Sequence, residues 1–142
     1  MTFFVDTNIV VYSAGASERR QPCIELLRAI GSGRADGRTS TSVIEEVWHL
    51  ELSGRAGPLI GLTSRSYAVF TPLLPVTDET VQLALSLDAG ALGSNDRIHL
   101  AICLMNGIDT IVSADAGFDG LRQIRRVDPL GADSLNLRNL VA

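Results

Sequence analysis

The 142-residue sequence predicts an α/β fold around a central, mostly parallel sheet. Three observations lead there: short apolar runs that stop at an acidic or polar residue, longer segments with apolar positions at helical spacing, and polar connections between them. An apolar share of 46% against 20% charged residues suits one core, and no internal repeat or low-complexity segment divides the chain.

Phe3-Phe4-Val5 reads as a strand ending at Asp6, and Asp6-Thr7-Asn8 offers side chains that cap a helix through Ile9 to Tyr12. Cys23, Ile24, Leu26, Leu27 and Ile30 recur at helical spacing, with Pro22 suited to the first turn and Gly31 closing it. The polar stretch from Gly31 to Gly37 reads as a loop, and Thr39-Ser40-Thr41 as a short strand or cap. A helix follows from about Ser42, with Val43, Val47, Leu50 and Gly54 on one stripe. Glu46 lies on that stripe and Glu45 on its other side.

Pro58 to Phe70 repeats the helical pattern less cleanly, Pro72 to Val76 is extended, and Thr77-Asp78-Glu79 is an acidic helix start. The helix it opens, to Leu87, presents Val81 and Leu85 to a core. Asp96 opens another, in which Ile98, Leu100, Ala101, Leu104 and Met105 are largely buried and which stops at Asn106-Gly107. Thr110-Ile111-Val112 is a strand, Ser113-Ala114-Asp115 a turn, Gly117-Phe118 a short helix and Arg125-Arg126-Val127 a last strand. Residues 1–130 thus form one domain, and 131–142 read as a C-terminal tail.

All twelve basic residues are arginine. A P-loop nucleotide hydrolase needs a phosphate-binding lysine, and Gly31-Ser32-Gly33 lacks its flanking residues too. Aspartyl phosphatases and receiver domains, which also begin strand-then-Asp, rely on a later lysine as well. Cys23 and Cys103 have neither CxxC nor Cys/His spacing, so they read as buried thiols rather than zinc ligands or a disulfide. The net charge of −4 argues against a wholly basic nucleic-acid surface. Arg19, Arg20, Arg28, Arg34 and Arg38 form either a local basic patch or a solvated face. No apolar run approaches the roughly 18 residues of a membrane span, and no basic segment precedes the N-terminal apolar stretch, so a cytoplasmic protein is expected.

Ligands of an open parallel sheet bind beyond the carboxyl ends of its strands, where Asp6 and Asp115 fall. Asp96 stands in the first turn of its helix, where the helix dipole favours its charge. An ionised Glu46 on an apolar stripe needs a cation or a donor. Singly, these are caps, turn residues or an exposed glutamate; together they form a set able to hold a divalent metal. His99, one turn after Asp96, reads as a core residue or a hydrogen-bonding neighbour, and Trp48 and Tyr12 as core or interface anchors.

The set resembles a known family. Val5-Asp6-Thr7-Asn8, the helix start from Ser40 to Val47, Asn95-Asp96-Arg97-Ile98-His99-Leu100-Ala101, and Val112-Ser113-Ala114-Asp115 with Phe118-Asp119 look like the successive motifs of PIN-domain ribonucleases. More narrowly they resemble VapC-type toxins of bacterial toxin–antitoxin pairs, over about Phe3 to Pro129. Asp6, Glu46, Asp96 and Asp115 match the acidic quartet, Asn8 and Ser113 its supporting polar positions, and Asp119 an additional acid. Glu46 rather than Glu45 matches, because Val-Trp-His-Leu follows it.

The resemblance implies a PIN-like three-layer α/β/α sandwich and a Mg2+- or Mn2+-dependent endoribonuclease acting on structured RNA, transfer or ribosomal. Asp6, Asp96 and Asp115 would hold the metal and Glu46 would orient or deprotonate the nucleophile. It also implies a homodimer and a cognate VapB-type antitoxin directed at the acidic pocket, with Trp48 to Leu50 and Tyr67 to Phe70 as parts of that surface. Two other readings compete: a catalytically silent RNA- or antitoxin-binding module, and a DNA-directed nuclease of related architecture.

Overall fold

The computed structural model describes residues 1–130 and 137–141. Strand β1 (Thr2–Val5) lies inside a four-stranded, wholly parallel sheet of order β2-β1-β3-β4. Its Phe3, Phe4 and Val5 are fully buried, as a strand covered on both faces requires. β3 (Thr110–Val112) is buried at every position for the same reason, whereas the outer strands β2 (Asp36–Arg38) and β4 (Arg125–Val127) keep exposed residues.

Among the described residues, the named helices of a three-layer α/β/α sandwich are α1 (Thr7–Ser13), α2 (Arg20–Gly31), α3 (Thr41–Ser53), α4 (Leu62–Phe70), α5 (Asp78–Ser86) and α6 (Ser94–Met105). α1 packs on α2 and α3, α4 on α2 and α3, and α5 on α6. Local chemistry sets several of their ends. Asp6 caps α1, Ser40 caps α3 through Val43 N–H, and Thr77 with Thr80 forms a reciprocal capping box on α5. Gly54 ends α3 at φ 67°, a backbone that side-chain-bearing residues rarely adopt. Among the described residues no helix is long and apolar enough to cross a membrane.

Three expectations are corrected. The Gly31 to Gly37 stretch is not wholly loop, because Asp36–Arg38 pairs in parallel with Thr2, Phe3 and Phe4. The Thr39 to Thr41 segment is the cap expected: Ser40 caps α3 and bridges to Leu74, and Thr39 donates from its hydroxyl to the Val5 carbonyl at 2.8 Å. On α5 the buried residues are Thr80 and Ala84, while Val81 and Leu85 face outward; Met105 at the end of α6 is also exposed. The expected tail falls mainly on residues 131–136 and 142, outside the described residues. Within it, Leu137 and Leu140 join the core.

Cys23 and Cys103 are buried free thiols, and burial pushes both up to about 12. They are neutral and chemically inert at any ordinary pH.

Candidate metal centre

The strand order changes direction between β1 and β3, the place where parallel sheets open a ligand crevice. Phe4 lies opposite Ile111 and Val5 opposite Val112, so Asp6 and Ser113 emerge side by side at the carboxyl edge. The ladder runs on past both strands: Asp6 N–H donates to Val112 and Ser113 N–H to Val127, each at 3.1 Å. The first residues beyond the strands are thereby fixed as firmly as the strands.

Asp6 is buried and accepts three hydrogen bonds. Thr7 N–H donates to Oδ1 at 2.8 Å, and Ser113 Oγ (2.7 Å) and Asn8 Nδ2 (3.2 Å) donate to Oδ2. Asn8 also donates to Ser113 Oγ at 3.1 Å and accepts from Ala114 N–H at 3.1 Å, and Ser113 Oγ accepts from Asp115 N–H at 3.0 Å. Asn8 and Ser113 thus tie the end of β1 to the turn carrying Asp115. Asp115 itself is exposed, caps the 3-10 turn Ala116–Phe118 and accepts from Gly117 N–H at 2.8 Å.

α3 brings Glu46 to the same place. Val43 and Val47 are buried beneath it, which turns Glu46 inward and leaves Glu45 exposed. Thr7 Oγ1 donates to Glu46 Oε2 at 2.6 Å, whereas Oε1 is buried with no hydrogen-bond partner among the described residues. From α6 come Asp96, half-buried in the first turn, and His99, 1% exposed. His99 Nε2 stands 3.6 Å from both Asp6 Oδ1 and Glu46 Oε1. A cleft of about 330 Å³ is lined by Asp6, Thr7, Asn8, Val11, Tyr12, Glu46, Leu50, Asp96 and Asp115.

The four acids of the quartet therefore converge on one cleft, with Asn8 and Ser113 behind Asp6. Asp119 does not join them: Arg126 holds its carboxylate bidentately at 2.9 and 3.0 Å and also donates to Asp128 and to the Ser113 carbonyl. Sequence reasoning passed over Thr7, the donor to Glu46, and placed His99 in the core or beside the site rather than among the carboxylates. The i, i+3 spacing of Asp96 and His99 carried the signal for the second.

The electrostatics are those of a site short of positive charge. Burial, then the charge of Asp6, raise Asp96 to about 6, with the neighbouring Asp115 adding to the rise and His99 opposing it. For Glu46 burial pushes upward, but the His99 imidazole 3.6 Å away and the hydrogen bond from Thr7 outweigh it and hold the group below its ordinary value. Burial pulls His99 down, yet Glu46, Asp6 and Asp96 together raise it. Asp6, Asp96 and His99 offer ligand atoms that all lie within 4.8 Å of one another. That donor set and the orphaned Glu46 oxygen fit a divalent cation, which relieves the repulsion and satisfies the buried oxygen at once.

One pH effect follows. A carboxyl raised in the folded state binds its proton more tightly there, so its contribution to stability is full below its ordinary value of 3.8 and is lost as pH rises through about 6. Over the same window protons compete with a cation for Asp96. Calorimetric Mn2+ titrations should therefore weaken by about tenfold per pH unit on acidification below 6. Equal affinity at pH 7.5 and pH 5 would place the cation away from Asp96.

Comparison with known proteins agrees with this architecture. The model of the PIN domain family matches residues 3–123. Ribonuclease VapC7 of Mycobacterium tuberculosis is 30% identical over 144 residues, covering 94% of this chain and 95% of that protein. Among solved structures, the crystal structure of Mycobacterium tuberculosis VapC20, a sarcin-ricin loop cleaving toxin, superposes with a TM-score of 0.63 at 19% identity. The superposition covers 87% of this chain and 98% of that one.

Proposed function

Because this chain belongs to the PIN-domain family, and within it to the VapC-type ribonucleases, we propose that it is a divalent-metal-dependent endoribonuclease. It is the toxin of a toxin–antitoxin pair and hydrolyses phosphodiester bonds in structured RNA. The observation that carries this reading is the convergence of Asp6, Glu46, Asp96 and Asp115 on one cleft at the carboxyl edge of the sheet. Nuclease chemistry needs such a cluster because phosphate, itself anionic, approaches carboxylates only across a cation.

Asp6 and Asp96 would be the principal ligands, and Asp115 would complete the set. Mg2+ or Mn2+ held there would supply Lewis-acid stabilisation of the charge developing on the phosphoryl oxygens. Glu46, oriented by Thr7, directs the attacking water and takes its proton as the new P–O bond forms in line and the bond to the leaving oxygen breaks, the leaving oxygen taking a proton from solvent. Asn8 and Ser113 keep Asp6 in its ligating rotamer. Arg19 stacks over Tyr12, a cleft-lining ring, at 5.3 Å and supplies a cation for a flanking phosphate.

A VapB-type antitoxin is the regulatory partner, as VapC-type membership implies. We assign its docking to the α3 surface, where Trp48 and Leu52 are exposed in a groove that also reaches Glu46. An arginine-bearing segment laid there would enter the acidic cleft. Phe70, by contrast, is buried in the core. A homodimer completes the proposal; exposed Val81 and Leu85 on α5 supply apolar surface for it. The nuclease domain is taken as residues 1–130.

The test is cleavage of total cellular RNA by the purified chain, with end mapping of the products. Chelation should abolish cleavage and added Mn2+ or Mg2+ restore it. Cleavage indifferent to chelator sinks the metal reading, and no cleavage with fresh Mn2+ leaves a binding-only module. Single-stranded DNA offered alongside separates a DNA-directed nuclease.

A further inference from the structure

Resting on the nuclease reading above, we propose that Arg28, Arg34 and Arg138 form a second RNA-binding face, outside the cleft, which holds the phosphate backbone of the substrate away from the bond that is cut. The structure sorts the five arginines between residues 19 and 38. Arg19 stacks on Tyr12, Arg20 is exposed, and Arg38 donates to the Pro72 carbonyl at 3.1 Å. Arg28 and Arg34 instead line one cavity of about 690 Å³, where Arg138 from the C-terminal segment joins them.

Three observations carry this. First, the three charges come from separate segments, the last turn of α2, the connection to β2 and the C-terminal segment, and none forms an ion pair among the described residues. The chain has 16 acidic side chains to 12 arginines, so acids to neutralise them exist, and Arg126 alone takes two. The dipole of α2 accounts for Arg28 but not for the other two. Second, the carboxylate on the cavity, Glu25, already accepts from Gln21 at 3.3 Å. Three arginines against one glutamate leave the lining positive in a protein of net charge −4. Leu26, Ala29, Leu137 and Val141 floor the cavity, and such low-dielectric walls concentrate the field of like charges. Third, the face continues from the catalytic side. Gln21 lines the cavity two residues after Arg19, whose guanidinium lies over Tyr12 at the cleft. From Arg19 to Arg28 the helix rises about 13 Å at roughly 1.5 Å per residue, so a strand leaving the cleft along α2 soon meets the cavity. A polyanion fits this charge, and RNA is the polyanion that the reaction brings to the cleft.

The probe is a fluorescently labelled RNA hairpin titrated with the full chain in chelator, so that nothing is cut, over a range of salt. Arg28→Gln, Arg34→Gln and Arg138→Gln together should reduce the slope of log affinity against log salt by about 2 to 3, since each phosphate contact is worth roughly 0.7 to 0.9. With Mn2+ present, KM for the RNA should rise about tenfold or more at unchanged kcat, the mark of binding lost equally from ground and transition states. Arg55→Gln, Arg122→Gln and Arg125→Gln together remove the same charge from exposed positions elsewhere and should change neither.

An unchanged slope in the first triple variant, or an equal loss in the second, overturns the inference, and RNA cut by wild type with Mn2+ then leaves the nuclease reading standing. A slope reduced in the first variant alone, in a chain that cuts no RNA, supports the face and sinks the nuclease reading. Wild type that binds no RNA in chelator overturns the face, whether or not it cuts with Mn2+.

Discussion

Asp6→Asn is expected to lower RNA cleavage on the order of a hundredfold or more while leaving the fold intact. The carboxylate is the buried centre of the cluster, ordered by Thr7, Asn8 and Ser113 and 3.6 Å from His99. An amide there keeps one acceptor oxygen but removes the negative charge that draws the cation. Asparagine caps helices about as well as aspartate, so α1 keeps its start. Relief of like-charge crowding is offset by the amide nitrogen that must face a donor at one of the two accepting oxygens, so the metal-free variant should unfold in urea within about 1–3 kcal/mol of wild type. Cleavage rates at saturating Mn2+ and urea midpoints check both halves. Undiminished cleavage would remove Asp6 from the reaction, and a collapsed midpoint would make it a structural residue instead.

Phe118→Ala should cost about 3–5 kcal/mol, a large part of the roughly 5–15 kcal/mol that holds a domain of this size folded. Phe118 is fully buried and closes the 3-10 turn that Asp115 caps, so its ring anchors the Asp115 turn to the core. Its removal leaves a cavity and frees the turn. Urea unfolding should show a lower midpoint at unchanged slope. A loss below about 1 kcal/mol would mean that neighbouring side chains close over the gap.

Much of the arrangement is legible in the chain because its central elements carry strong local signals. Phe3 to Val5 and Thr110 to Val112 are continuous apolar runs, which buried parallel strands need, and the acids that follow them stand at the sheet edge by necessity. β2 escapes this logic. Asp-Gly-Arg has no strand propensity, and its extension comes from pairing with β1. Its central glycine is required by packing, since a Cβ at Gly37 would collide with the Ile30 side chain and lie 3.0 Å from Phe3.

On α5, Val81 and Leu85 form as good a stripe as Thr80 and Ala84, and only the packing against α6 selects between them. The choice between Glu45 and Glu46 has the same character: the residues beneath, Val43 and Val47, decide it once the helix is docked. Asp119 carries the same chemistry as Asp115 four residues earlier, but its pairing with Arg126 depends on where β4 returns.

The two outer strands, finally, bear on how copies of this chain meet in a crowded cell. Each is three residues long and charged, Asp36 and Arg38 at one margin, Arg125 and Arg126 at the other. Short charged margins are poor templates for strand addition, so neighbouring copies are discouraged from extending one another's sheets into fibres. Contact between copies is left to the helical faces, where it can be reversible and of defined size.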